Sequence, residues 1–214
     1  MSEFWEQSFK DNQKMWGEDP AEVTMEVKSL FQKNNIKSVL IPGFGYGRNA
    51  KTFINSNFSV TGIEISKTAI EIAEHSIDGS YYLHHGSITE MPFDSGVYQG
   101  IYCYALLHLL SAAERNKFIN DCFNQLEVDG IMVFVTLSTK DHRFGKGEQI
   151  DKNTFLTNHG ISLFFFDLDA IEREFSDYGL YEAVEIDEPT IYTGGKPSQK
   201  FWRISCRKVT TVNK

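Results

Sequence analysis

Three glycines at alternate positions, Gly43, Gly45 and Gly47, follow the apolar run Val39-Leu40-Ile41-Pro42 and lead into Arg48-Asn49-Ala50. No other stretch constrains the fold as strongly. Ser38 to Ile41 reads as a buried strand and Arg48 to Phe53 has the apolar spacing of a helix, so the glycines occupy the turn between them. Without Cβ atoms such a turn reaches positive φ and lets a ligand lie against its backbone. The helix that follows offers unpaired N–H groups and the positive end of its dipole.

The spacing separates this loop from other nucleotide loops. The dinucleotide pattern G-x-G-x-x-G needs glycine where the chain has Arg48, and no G-x-x-x-x-G-K-[ST] phosphate loop occurs. Ser59-Val60-Thr61-Gly62-Ile63-Glu64-Ile65 then reads as a second strand ending in an acid. A nucleotide-binding βαβ unit places its ribose-binding carboxylate about 20 residues after the loop.

The 214 residues, 41% of them hydrophobic, suffice for one full core, so one domain is the simpler reading. With Lys+Arg 21 against Asp+Glu 29 the net charge is −8, and no basic run or stripe is present. This argues against nucleic acid as a partner, since phosphate binding needs concentrated positive charge. No apolar run approaches the ~18 residues of a membrane span, and the first ten residues lack a signal-peptide layout. Cys103, Cys122 and Cys206 sit in apolar patterns and read as reduced, buried thiols of a cytoplasmic enzyme. His84 and His85 are adjacent on a strand and point to opposite faces; no other spacing fits a metal site, and no metal is expected.

Ser2 to Met15 and Pro20 to Phe31 read as two helices, with Asp19 as the cap of the second. Phe4, Trp5, Phe9, Met15 and Trp16 give this addition a heavy apolar load. Later elements are a helix from Ser66, strands at Tyr81 to His84, Val97 to Tyr104 and Gly130 to Leu137, and a helix between the last two. A polar excursion covers Ser138 to Leu163, and excursions of that length are more often functional than accidental. A helix from Asp167 to Tyr178 and strands at Leu180 to Ile186 and Lys200 to Lys208 close the chain. Gly194-Gly195-Lys196-Pro197 reads as a hairpin turn between those strands.

On these residues the chain resembles the class I S-adenosylmethionine-dependent methyltransferases from about Lys37 to Lys208. Their first motif, acid-x-G-x-G-x-G after a strand, is matched by Pro42-Gly43-Phe44-Gly45-Tyr46-Gly47 with Pro42 in place of the acid. Glu64 matches the acid ending their second strand. Gly86-Ser87-Ile88 is similar to the third motif with Ser87 for Asp. Gln99 to Leu110, containing Cys103, Tyr104 and His108, is similar to the fourth with Gln99 for an acid, and Leu126 to Val135 to the fifth. Gly-Arg-Asn-Ala after the loop is similar to the tellurite- and thiopurine-type small-molecule methyltransferases.

The resemblance implies an α/β fold: a Rossmann-like, doubly wound, seven-stranded sheet, mostly parallel with an antiparallel last strand and helices on both faces. It implies a helical lid at 1–35 before a single methyltransferase unit at 36–214. The activity expected is methyl transfer from S-adenosylmethionine to a small-molecule acceptor, leaving S-adenosylhomocysteine, in a monomer or homodimer without nucleic-acid or membrane partners. A non-catalytic S-adenosylmethionine- or S-adenosylhomocysteine-binding protein is the alternative from another class, and an NAD-dependent oxidoreductase a more distant one.

The cofactor-binding set implied is Trp16, Gly43, Gly45, Gly47, Arg48, Glu64, Ile65, Ser87, Ile88 and Cys103. Glu64 accepts from the ribose hydroxyls, and Ile65 and Ile88 sandwich adenine or are plain core. Arg48 pairs with the methionine carboxylate or lies in solvent, and Trp16 is a lid residue unless the N-terminal helices simply dock on the sheet. The missing acids at Pro42, Ser87 and Gln99 bear on the contacts to the methionine amino group. In-line displacement is promoted by alignment alone and needs no obligatory base. If one acts it is His108, with an ordinary pKa of about 6.5; a structural histidine is the other reading. Tyr104 is placed in the acceptor pocket, and Arg143 or His142 beside an anionic acceptor.

Overall fold

The apolar run before the glycines forms β1 (Ser38–Pro42), an inner strand of a seven-stranded sheet. The computed structural model describes residues 2–190 and 197–209. Before β1 come α1 (Ser2–Asn12) and α2 (Glu22–Lys33). After it come α3 (Ala50–Ile54), β2 (Ser59–Glu64), α4 (Lys67–Ser76), β3 (Tyr81–His85), β4 (Tyr98–Tyr104), α5 (Ala112–Asn124) and β5 (Leu126–Leu137). The remainder is β6 (Glu148–Asp151), β7 (Thr154–Leu156), β8 (Ser162–Phe164), α6 (Leu168–Phe175), β9 (Leu180–Glu188) and β10 (Gln199–Arg207).

The sheet order is β3-β2-β1-β4-β5-β10-β9. The first five strands pair in parallel, and β10 runs antiparallel to both β5 and β9. This is the α/β sheet with an antiparallel last strand that the sequence leads one to expect. The order adds that this last strand lies inside the sheet, with β9 at the edge. Side chains alternate between faces with the period of a strand. Val39 and Ile41 of β1 and Val133 and Val135 of β5 enter one core cluster with α2 and α3. Leu40, Met132 and Phe134 enter the other with α5 and α6. Strand order reverses between β1 and β4, and a ligand crevice opens at the carboxyl ends of strands flanking such a switch.

Four local features depart from the sequence reading. The excursion from Ser138 to Leu163 is structured: β6, β7 and β8 form a separate antiparallel sheet. Phe155 of β7 packs edge-on against Phe144 and Phe165 beneath it. Such short strands, β6 exposed throughout, leave no alternating pattern to read. Secondly, Asp19 does not cap α2. The Glu188 carboxylate at the end of β9 accepts from Glu22 N at 2.8 Å and Val23 N at 3.0 Å instead. Thirdly, α5 begins at Ala112 behind a Ser111/Glu114 capping box, after a separate turn at Leu107–Leu109. Finally, α3 has only five residues, which leaves little helix dipole behind the glycine loop. The glycines of the anticipated β9–β10 turn lie outside the described residues.

Arg115 of α5 and Glu174 of α6 form a buried bidentate pair, both bonds 3.0 Å, with the guanidinium 3.8 Å from the Phe164 ring centroid. Arg115 Nη1 also donates to Leu110 O at 2.9 Å, which joins two helices, the small sheet and the turn after β4. Removing one member strands the other charge in the core. Glu174→Ala is therefore expected to lower stability by about 3–5 kcal/mol in urea unfolding. Glu71→Ala, in the solvated pair with Lys67, changes it little.

Candidate active site

The carboxyl ends of β1, β2, β3 and β4 border a cavity of about 1010 Å³. One flank is built from the turns after β1, β2 and β3, which bring Gly43, Gly45, Glu64, Ile65, Ser87 and Ile88 to its wall. Tyr104, His108, Arg143 and Phe201 line the other flank, and Trp5 and Trp16 cover it from the N-terminal segment. α2 lies apart, with Val23, Val27 and Phe31 in the sheet core.

The glycines hold positive φ, +72° at Gly43, +58° at Gly45 and +80° at Gly47, but they do different work. A Cβ at Gly45 would meet nothing within 4 Å, so its bare backbone faces the cavity. A Cβ at Gly47 would lie 2.1 Å from Ile77 Cδ1. Gly47 therefore packs the loop onto the core and is absent from the cavity lining. Parallel pairing of β1 with β2 sets Pro42 beside Ile63 and carries the loop to Glu64. Glu64 Oε2 accepts from Gly45 N at 2.7 Å and Oε1 from Ser66 N at 2.8 Å. Burial raises its pKa against these backbone hydrogen bonds. Each carboxylate oxygen keeps a further lone pair, so the group can still accept from a ligand.

Ile65 and Ile88 both reach the cavity wall. Ser87 does too, and its hydroxyl accepts from Thr89 N at 3.3 Å to start the turn after β3. Trp16 is 50% exposed and stacks on Tyr46, centroids 6.2 Å apart at 11°. Tyr46 OH donates to Gly17 O at 2.8 Å and accepts from Trp16 N at 3.2 Å. Arg48 does not lie free in solvent: Nη1 donates to Trp16 O at 3.0 Å and its guanidinium is 5.9 Å from the Tyr104 centroid.

Cys103 and Gln99 lie away from the cavity. Cys103 points into the second core cluster, fully buried, with its thiol pushed well up by burial, and does not line the cavity. On a strand it must face away from its neighbour Tyr104. Gln99 lies near the other end of β4, where its Oε1 accepts from Lys37 N at 2.7 Å. Its replacement of an acid therefore does not touch the cavity. His142 is absent from the lining as well. Among the described residues no cluster of three potential metal ligands occurs, and no helix is long and apolar enough to cross a membrane.

On the second flank His108 is 6% exposed with Nδ1 3.4 Å from Thr136 Oγ1. Burial first, then the Arg143 cation, lower its pKa to about 3. The imidazole is neutral at physiological pH and a weak base, suited to hydrogen bonding more than to storing a proton. Tyr104 lies 5.8 Å from Phe201 between ring centroids, and burial raises its phenol.

The N-terminal helix is fastened by Glu6. Its Oε2 accepts from Ser66 Oγ at 2.7 Å and Thr68 N at 3.2 Å, and Oε1 from Thr68 Oγ1 at 2.7 Å. The same Ser66 hydroxyl caps α4 by accepting from Ala69 N, so one residue links helix cap, Glu64 and α1. Hydrogen bonds from Thr68 and then Ser66 hold the Glu6 pKa down to about 2.

Residues 39–130 match the family model of a methyltransferase domain. No curated protein sequence matches it. A SAM-dependent methyltransferase of Methanosarcina mazei superposes with a TM-score of 0.68 at 18% identity, over 80% of this chain and 92% of the other. Burkholderia thailandensis 1,6-didemethyltoxoflavin-N1-methyltransferase, with bound 1,6-didemethyltoxoflavin and S-adenosylhomocysteine, gives 0.73 at 13% over 97% and 87%. TehB from Haemophilus influenzae gives 0.68 at 15% over 95% and 67%. The chain thus has the Rossmann-like fold of these methyltransferases, as its sequence leads one to expect.

Residues not singled out in the sequence complete its site. Tyr46 hides between two glycines, and its position in the G-Y-G step was the one available signal. Phe201 and Asp141 reach the site through β10 pairing and a loop turn, for which no local signal exists.

His108 is expected to hold one ring-proton chemical shift from pH 8 to pH 5 in NMR titration, since its ionisation lies near 3. The Glu6 clasp has the opposite sign to a group raised by folding. A depressed acid contributes stability that is full above its unfolded pKa of 4.5 and lost as pH falls toward 2. Glu6→Gln should therefore flatten the dependence of unfolding free energy on pH between those values.

Proposed function

We propose that this methyltransferase passes a methyl group from S-adenosylmethionine to a small-molecule acceptor by in-line displacement. The observation that carries the reading is the Glu64 carboxylate, buried at the cavity wall against Gly45 N with acceptor capacity to spare. That arrangement fits a ribose diol, and the open space over Gly45 fits a ligand lying on backbone. Glu64 would hold the ribose, Ile65 and Ile88 the two sides of adenine, and Ser87 a polar edge. Arg48 would meet the methionine carboxylate.

When bound, the cofactor supplies an electrophilic methyl group on a sulfonium. The chain's task is then alignment and exclusion of water, which account for much of the acceleration of such a displacement. Residues 1–35 serve as the lid in this reading: α1 and the turn to Trp16 cover the cavity while α2 roots them in the sheet. A small acceptor is supported by a cavity bounded by that segment and by β8, and by the Burkholderia relative, whose acceptor is a small heterocycle. Three free, buried cysteines accord with a reducing, cytoplasmic setting.

Calorimetric titration with S-adenosylmethionine, S-adenosylhomocysteine and NAD tests the reading. The first two should bind and NAD should not. Glu64→Gln, which loses charge-assisted acceptance, should weaken both by roughly 10- to 100-fold. Binding of NAD alone would sink the proposal, and absence of turnover with every small acceptor would leave a non-catalytic binding protein.

A further inference from the structure

Charges of both signs line the cavity. The acids that line it, Glu64, Glu90 and Glu114, lie on the turns after β2 and β3 and at the start of α5. Arg48, beside the Tyr104 ring, and Arg143 line it as well. The one carboxylate within ion-pair distance of Arg143 among the described residues is Asp141, and Arg48 has none. In a chain of net charge −8 this pair of cations is a local exception.

Asp141 is built to present Arg143. Its carboxylate is 3% exposed and absent from the cavity lining. Oδ1 accepts from Arg143 N at 2.9 Å and Nε at 2.7 Å, while Oδ2 accepts from Arg143 Nη2 at 3.3 Å and Lys200 N at 2.8 Å. The guanidinium is thereby oriented on the strand that carries Phe201, and Nη1 has no partner among the described residues. Burial pushes the Asp141 carboxyl up, and the Arg143 hydrogen bonds more than reverse this, so Asp141 stays ionised. Glu188, the other nearby acid, has both oxygens occupied by amides of α2. Beside Arg143 the wall is aromatic, Tyr104 and Phe201 tilted at 36°.

We propose that the acceptor is a small aromatic monoanion whose negative group is held by the donors of Arg143 that Asp141 leaves free. The proposal rests on the methyltransferase reading and adds the chemistry of the second substrate. Arg48 remains with the cofactor carboxylate, which leaves one cation for one acceptor charge. A planar guanidinium suits a planar carboxylate, and a charge-assisted bond at a partly buried site discriminates against neutral isosteres.

The test uses the full chain saturated with S-adenosylhomocysteine, whose own binding is measured first. Benzoate, benzamide and benzylamine are then titrated as probes. Benzoate should bind roughly tenfold or more tightly than benzamide, the strength expected of a charge-assisted contact, and benzylamine least. In Arg143→Met the advantage of benzoate should vanish while S-adenosylhomocysteine affinity stays within about twofold. Arg143→Lys, which keeps the charge without the fork, should retain part of it and stands in if the methionine variant misfolds. Equal affinities, no benzoate binding, or a preference that survives Arg143→Met would overturn the proposal while leaving the cofactor reading intact. Failure of S-adenosylhomocysteine to bind the wild type would overturn that reading, and the acceptor proposal with it.

Discussion

A carboxylate taken out of water between two parallel strand ends is the constraint on which the rest of the site depends. Glu64 carries a desolvation cost that burial imposes on any acid, and it is offset by amide donors from the turn after β1 and the turn after its own strand. Those bonds exist only because β1 and β2 are in parallel register. Shifting that register by one residue would turn Glu64 to the opposite face and leave Gly45 N without its partner. The cavity wall is in this sense a by-product of sheet pairing.

The covering segment depends on the same place. Ser66 donates its amide to Glu64, caps α4 with its oxygen and gives its proton to Glu6. At the far side, Tyr46 and Arg48, both in or next to the glycine loop, grip the backbone at Trp16 and Gly17. Apart from Phe9 against Tyr46 and Ala69, α1 buries little. Polar contacts at two points, and few apolar ones, place α1 at the low-stability end of the molecule, where covering elements are usually found.

Much of the architecture was legible in the chain, and the reason is local. The run Val39 to Ile41, the glycines and the acid of β2 each report a backbone or burial requirement met within a few residues. The faces were less legible. Gly47 and Cys103 belong to the same motifs as Gly45 and Tyr104, but which side of a loop or strand meets the cavity is decided by packing, here against Ile77 and the α5 face. Gln99 was misread for a similar reason, since it sits in a matching motif at the wrong end of its strand. Phe201 was invisible because it reaches the cavity only through the pairing of β10 with β5, and the small sheet because its strands are too short to show a pattern.

The capping of α2 by Glu188 has a consequence for how the molecule is made. Donor and acceptor are separated by 166 residues at Glu22 and 165 at Val23. α2 leaves the ribosome early, yet its first amides find their acceptor only once the edge strand has been synthesised and has paired with β10. Until then the amino end of the helix frays, and the sheet face it covers lacks a settled partner. Closing so long a loop comes late in any route to the native state. The cap at the amino end of α2 thus waits for a partner synthesised long after the helix itself.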